Sequence, residues 1–151
     1  MPRIERSATA TWAGSVARGS GQLSSPSLVL HDAPFSLAGR TAAEASEETS
    51  PEELLAAAHA ACFAMALSAR LTHRNAPPDR LAVTSTVALD QVGGFNRIVA
   101  GELTVEVVTA PLADDELEAA LGEADERCPF SALLRDAGAT VTVALTSHVT
   151  S

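Results

Sequence analysis

The segment that decides the fold runs from Ser50 to Arg70 and reads SPEELLAAAHAACFAMALSAR. It begins like a helix: Ser50 is a preferred N-cap residue, Pro51 suits the first helical position, and Glu53 completes a capping box. Ala, Leu and Met then dominate every side until Arg70. A helix that is apolar all round is buried in a core or between subunits. We therefore predict a long, buried central helix.

Segments with the character of β-strands flank this helix. Three short strands are predicted before it, over residues 8–12, 22–30 and 34–37. A small, polar, acidic loop follows over 41–50. After the helix, apolar residues recur at every second position over 81–89 and 103–107, with Gly93 and Gly94 between the two runs. This period is that of a strand with one buried face, so a long hairpin is predicted.

Two further helical segments and a last strand complete the chain. Asp114 opens a surface helix with a narrow apolar stripe, which comprises Leu117, Leu121 and Ala124. Cys128 and Pro129 start a short helical turn, and a final strand is predicted over 141–145. The sequence contains no internal repeat and no composition shift that marks a boundary. We therefore predict an α+β fold with one domain over residues 1–151.

The composition limits the partners and the compartment. The 151 residues carry a net charge of −9, with a pI near 4.8, and no local cluster of Lys or Arg. Such a chain repels nucleic acid and anionic membrane surfaces, so neither is an expected partner. The N-terminus lacks the apolar core of a signal peptide, and the apolar run over 54–67 is short for a membrane span. A cytoplasmic location is predicted, where a disulfide is more often catalytic than structural.

Two cysteines in unlike settings carry the chemistry. Cys62 lies inside the predicted central helix, and Cys128 follows an acidic helix in the segment ERCPFSALLR. Their settings favour a redox pair. Free cysteine is also among the residues most often buried, so packing alone is an alternative for each thiol.

The sequence motifs around these cysteines are specific to one protein family. The segment PEELLAAAHAACFAMAL, followed 66 residues after its cysteine (62 to 128) by CPFS, closely resembles the OsmC/Ohr family of thiol peroxidases. The early WAG at 12–14 and HAAC at 59–62 resemble the OsmC branch. The resemblance extends over roughly residues 8–146. It implies an OsmC-like fold, with antiparallel β-sheets around the central helix and an intertwined homodimer.

The same resemblance implies an activity and its residues. Members of the family reduce organic hydroperoxides, and hydrogen peroxide more weakly, in oxidative or osmotic stress defence. The resemblance assigns Cys62 as the peroxidatic residue and Cys128 as the resolving residue. It assigns Glu52 as a carboxylate that works with an arginine. Arg40 is the preferred arginine and Arg18 is the alternative.

Thiol chemistry explains why these residue types are needed. A thiol attacks an O–O bond as thiolate, and burial raises its pKa, so a nearby guanidinium must supply positive charge. A buried arginine needs a carboxylate to balance it, which fits Glu52. The resemblance implies an external dithiol reductant, either a lipoylated protein or a thioredoxin-type donor. No metal, flavin or haem is expected, because sulfur is the only redox centre.

Four more residues near the cysteines have candidate roles. Phe63, Met65 and Phe130 are apolar neighbours that predict a pocket for a hydrocarbon tail. His59 lies three residues before Cys62 on the same helical face, as a base or metal ligand would. One His and one Cys do not make a metal site, so His59 is better explained as a polar packing residue.

Two other functions remain open from the sequence. A general thiol-disulfide oxidoreductase would turn over protein disulfides, although the chain has no C-x-x-C motif. A noncatalytic stress protein that binds a lipid-like ligand in an apolar pocket would carry inert cysteines.

Helix geometry predicts the homodimer independently. Glu52 and Cys62 are ten residues apart, which is about 15 Å of rise on a straight helix, so one glutamate side chain does not span the gap. An antiparallel pairing of two copies of the helix near Ala57 would place Glu52 of one chain opposite Cys62 of the other. The alanine-rich sequence permits that close approach.

Overall fold

The computed structural model describes residues 2–44 and 46–151. The chain divides into two compact units, Met1–Pro51 and Glu52–Ser151. The prediction of one domain over residues 1–151 stays a prediction. Within the predicted loop over 41–50, Ala45 lies outside the described residues, and the remainder forms neither helix nor strand.

The N-terminal unit is built on a small antiparallel sheet. Its elements are strands β1 (Thr9–Ala13), β2 (Ser20–Ser24) and β3 (Ala33–Phe35), followed by the short helix α1 (Leu37–Arg40). The ring of Phe35 packs against Trp12, with centroids 5.5 Å apart. Ser36 accepts a hydrogen bond from the Gly39 N–H and so caps α1.

The strand predicted over 22–30 is displaced and shortened. β2 ends at Ser24, and Pro26 stands just beyond it. Proline has no N–H to donate to a ladder, and Leu28 adopts a positive φ of 60°, which a regular strand does not tolerate. Residues 25–32 therefore form the turn that leads to β3.

The C-terminal unit packs helices on one sheet. Helix α2 (Pro51–His73) leads to β4 (Pro78–Val92) and β5 (Phe95–Thr109), the predicted hairpin, with Gly93 and Gly94 in its turn at positive φ. Helices α3 (Asp114–Arg127) and α4 (Pro129–Asp136) then precede the last strand, β6 (Thr140–Thr150). The α+β class and the long central helix are confirmed.

The larger sheet differs from the prediction of antiparallel sheets. β4 and β5 pair antiparallel, but β6 pairs parallel to β5, from Ala100 opposite Thr140 to Thr109 opposite Thr150. Parallel neighbours need a crossover connection, usually helical, and α3 with α4 provides it. The sheet is therefore mixed.

The aliphatic core lies between this sheet and its helices. Its fully or nearly buried members come from α2, β5, α3 and the start of α4: Phe63, Leu67, Leu71, Leu103, Val105, Val107, Leu117, Ala120, Leu121, Ala124 and Cys128. The predicted stripe of α3 is thus confirmed as its buried face.

Helix α2 buries one face within the chain instead of every face. His59, Phe63, Leu67 and Leu71, spaced four residues apart, are fully buried. The opposite face, residues 57, 61, 65 and 69, is exposed and apolar. By length and composition alone α2 is able to cross a membrane, with a mean hydropathy of 1.6, but helices of protein cores meet the same criterion. The expected absence of a membrane partner stays a prediction.

Candidate active site

The structure brings the two cysteines together. Cys62 lies in the middle of α2, and Cys128 occupies the joint between α3 and α4, directly before Pro129. The two thiols adjoin each other, and the backbone N–H of Phe130 lies next to the Cys62 sulfur. Both thiols are free. Cys128 is fully buried, whereas Cys62 is only partly buried.

The surroundings of Cys62 disfavour the thiolate. Burial, followed by the neighbouring Cys128 thiol, raises the pKa of Cys62 from 9.0 to about 11, although the Phe130 N–H opposes the shift. At pH 7 such a thiol is ionised in roughly one molecule in 10⁴. A fast nucleophile at this position therefore requires a positive charge close to the sulfur.

His59 lies one helical turn before Cys62 and is completely buried. Its Nε2 is 2.9 Å from the Ser131 hydroxyl, and its Nδ1 is 3.2 Å from the Ser85 hydroxyl. Burial lowers the pKa of His59, and the nearby Asp125 and Arg135 charges act in opposite directions on it. A neutral imidazole with both nitrogens hydrogen-bonded to hydroxyl groups has no nitrogen free to bind a metal. His59 is therefore a hydrogen-bonded packing residue.

Sequence reasoning did not single out the two serines. Ser131 follows Cys128 by three residues, and its only sequence signal was its place in the CPFS segment. Ser85 lies on β4, on the face directed at α2. Arg135 of α4 donates to the Asp125 carboxylate of α3, which ties the two helices on either side of Cys128.

The predicted charged residues lie on separate elements. Glu52 stands in the first turn of α2, and α2 continues without interruption past Cys62, so about 15 Å of helix rise separates them. Arg40 ends α1, and Arg18 lies in the turn between β1 and β2, both in the N-terminal unit. The assignment of Glu52, and of Arg40 or Arg18, to the thiol stays a prediction.

The three predicted substrate residues face different surroundings. Phe63 is fully buried in the core, Met65 is 68 % exposed, and Phe130, whose backbone adjoins the Cys62 sulfur, is partly buried. Met65 lines an open groove between α2 and the start of β4. A shared pocket of these three side chains stays a prediction.

The residues 2–44 and 46–151 contain no group of three or more His, Cys, Asp or Glu side chains arranged to hold a metal ion. The expectation that the protein needs no metal or other cofactor stays a prediction.

Known proteins are similar to this chain in sequence. Residues 44–144 match the family described as OsmC-like protein. The chain is 35 % identical over 132 residues to peroxiredoxin OsmC of Escherichia coli strain K12, which covers 87 % of this chain and 91 % of the relative. It is 32 % identical over 102 residues to the organic hydroperoxide resistance protein of Xanthomonas axonopodis pv. citri strain 306, which covers 66 % and 69 % respectively.

A solved structure agrees with the sequence relatives. The organic hydroperoxide resistance protein OhrB of Bacillus subtilis is 29 % identical and superposes with a TM-score of 0.64, over 93 % of this chain and 97 % of that one. The fold is thus that of the OsmC and Ohr proteins. This chain belongs to the OsmC-like protein family, as its cysteine segments predicted.

Proposed function

We propose that this protein is a thiol-dependent hydroperoxide reductase of peroxiredoxin-like activity. Its substrates are organic hydroperoxides and, more weakly, hydrogen peroxide, and its role is in oxidative or osmotic stress defence. The observation that carries the proposal is the contact between the Cys62 and Cys128 thiols. The names of the relatives, peroxiredoxin and organic hydroperoxide resistance protein, support the same reaction class.

The reaction proceeds in three balanced steps. The Cys62 thiolate attacks the hydroperoxide, the O–O bond breaks, and the protonated alkoxide leaves as alcohol while Cys62 becomes a sulfenic acid. The Cys128 sulfur then attacks the Cys62 sulfur, an S–S bond forms, and the sulfenic hydroxyl leaves with the thiol proton as water. An external dithiol finally reduces the disulfide and is itself oxidised to a disulfide.

The burial of each thiol supports these roles. Cys62 is partly accessible, so a peroxide can reach it, whereas the fully buried Cys128 meets only its neighbours. Arg40, with Arg18 as the alternative, would lower the pKa of Cys62, and Glu52 would orient that guanidinium. The reductant is a lipoylated protein or a thioredoxin-type donor, as expected in the cytoplasm, where thiols are kept reduced.

The proposal includes a homodimer. The exposed apolar face of α2, comprising Ala57, Ala61, Met65 and Ala69, supports it. So does the end of the β4–β5 hairpin, which extends beyond the pairing with β6 and exposes Leu89, Val92 and Phe95. Light scattering in solution should give twice the chain mass of 15.5 kDa, and a monomeric mass would contradict this part of the proposal.

Titration with a hydroperoxide tests the proposed reaction. The reduced protein should lose two thiols per chain within seconds of adding one equivalent of cumene hydroperoxide, with one intramolecular disulfide formed. Cys62→Ser is the matched control and should lose none at that rate. Reduction of protein disulfides without peroxide consumption would instead indicate a general oxidoreductase, and inert thiols would indicate a binding protein.

A further inference from the structure

The helices that carry the two cysteines meet at two neighbouring contacts. In the first, Cys62 of α2 meets Cys128 at the start of α4. In the second, the Nε2 atom of His59 is 2.9 Å from the Oγ atom of Ser131. His59 precedes Cys62 by three residues, and Ser131 follows Cys128 by three. The two contacts therefore join the same pair of elements, about one helical turn apart on each.

The contact between His59 and Ser131 is closed to water and tightly packed. Both side chains are fully buried. A Cβ atom added to Gly101 of β5 would lie 3.5 Å from the His59 ring and 2.7 Å from a methyl group of Leu134. The imidazole thus has the sheet on one side and α4 on another.

Both ring nitrogens have hydroxyl partners, and a hydroxyl can donate or accept. Either neutral tautomer of His59 is therefore satisfied. Because its one basic lone pair is engaged by a serine hydroxyl, neither ring nitrogen of His59 is free to act as a base on the Cys62 thiol. The remaining role of the contact between His59 and Ser131 is to fix the position of α4.

We propose that His59 is a positioning residue for the resolving step: it holds Ser131 and thereby keeps Cys128 beside Cys62. The inference rests on the proposed peroxidase function and deepens it. Bond formation between two cysteines requires Cα atoms within roughly 4.4–6.8 Å of each other. α4 has only eight residues and Cys128 directly precedes it, so a small displacement of its first turn takes the sulfur out of reach. The hydrogen bond through Nε2 prevents that displacement.

Single-turnover kinetics separate this role from others. The first rate is that of Cys62 oxidation by cumene hydroperoxide, which dimedone trapping measures. The second is the rate of the subsequent disulfide formation, which mass spectrometry measures. Ser131→Ala removes one hydroxyl and should slow disulfide formation by about tenfold, the worth of one buried hydrogen bond. The rate of Cys62 oxidation should change by no more than about twofold.

Two substitutions of His59 form a matched pair. The amide of glutamine reaches the position of Nε2, whereas the amide of asparagine reaches only that of Nδ1. His59→Gln should therefore keep disulfide formation within about threefold of the original rate, and His59→Asn should slow it by about tenfold. Ser85→Ala is the control on the other ring nitrogen, and it should leave both rates within about twofold.

The possible outcomes are distinct. Unchanged disulfide formation in Ser131→Ala overturns the inference, and so does an equal loss in both rates, because His59 would then act on the nucleophile. If the original protein shows no oxidation by peroxide, the proposed function fails instead. Thermal unfolding of each variant checks the fold. Should the His59 variants unfold, Ser131→Ala decides the matter, since it deletes a single oxygen atom.

Discussion

Cys62 and Cys128 adjoin each other, yet their surroundings differ in accessibility and in backbone support. Cys62 is partly accessible and stands in the middle of the 23-residue helix α2. Cys128 is fully buried, but its backbone forms the joint between α3 and α4. The accessible sulfur is thus on a rigid element and the buried sulfur on a joint. This difference suits an accessible nucleophile that meets peroxide and a second thiol that the packing of α4 holds beside it.

Exchanging each sulfur for oxygen gives the largest expected effect and tests the comparison directly. Cys62→Ser should reduce peroxide consumption to the background rate, because the accessible nucleophile is lost. Cys128→Ser should still permit one oxidation per chain and should leave a sulfenic acid that dimedone traps. Peroxide consumption and adduct mass measure the two outcomes. Equal residual turnover in both variants would contradict the division of roles.

Removal of the arginine tests whether a guanidinium lowers the pKa of Cys62. The pKa of Cys62 is raised to about 11 by burial and by Cys128, and a guanidinium is proposed to lower it. A raised pKa means less thiolate at any given pH, so reactivity should move to higher pH when the cation is removed. Arg40→Ala should decrease the rate of Cys62 alkylation at pH 7 on the order of a hundredfold, the effect of about two pKa units.

The pH profile of alkylation provides the measurement and the control. In Arg40→Ala its midpoint should lie about two pKa units above that of the unsubstituted protein, the direction in which burial and Cys128 already move the pKa of Cys62. Arg18→Ala is the matched variant and should keep the original midpoint. If the two variants exchange these behaviours, Arg18 is the arginine that serves the thiol.

Local patterns in the sequence predicted much of the fold. The capped apolar run at Pro51 gave α2, and the two glycines at 93 and 94 between period-two segments gave the hairpin. Each of these features is decided by neighbours in the sequence. The parallel pairing of β6 was not predicted, because alternation is the same in parallel and antiparallel strands.

The candidate site was predictable only in part, for the same reason. The family resemblance named Cys62 and Cys128, and the structure brings them together. The partners of His59 are 72 residues away at Ser131 and 26 residues away at Ser85. Serine is common on surfaces and in turns, so nothing in the local sequence marks these two as buried partners of an imidazole. Only the packing of α4 and β4 against α2 shows it.

A comparison of two substrates tests whether apolar side chains beside the two thiols bind a hydrocarbon tail. The backbone of Phe130 adjoins the Cys62 sulfur and its side chain is partly buried against the core, so a hydrocarbon tail should bind beside it and hydrogen peroxide, which has none, should not benefit. Each buried methylene contributes about 0.8 kcal/mol, so two are enough for a preference of about tenfold in kcat/KM for cumene hydroperoxide. Comparable efficiencies would contradict a closed apolar pocket.

Truncation of Phe130 or Met65 tests which side chain causes the preference for the organic substrate. Phe130→Ala and Met65→Ala should each lower the efficiency with cumene hydroperoxide and leave that with hydrogen peroxide unchanged. Phe63→Ala is a different experiment, since this side chain is fully buried in the core. It should destabilise the fold by about 3–5 kcal/mol, measured by urea unfolding, whatever the substrate.

The smallest expected effect is a partial recovery of activity when two inactive chains are mixed. α2 is one uninterrupted helix, so Glu52 does not bend back toward Cys62 of its own chain. An antiparallel pairing of two exposed apolar faces near Ala57 would bring Glu52 of one chain to Cys62 of the other. A heterodimer of Glu52→Ala and Cys62→Ser chains would then contain one site with both residues intact and one with neither. Its peroxidase rate should be about half that of the unsubstituted dimer.

Heterodimers verified by differential tagging must be used, because each parent homodimer should remain at its own low rate. No recovery would show that Glu52 and Cys62 do not form a shared site across the dimer.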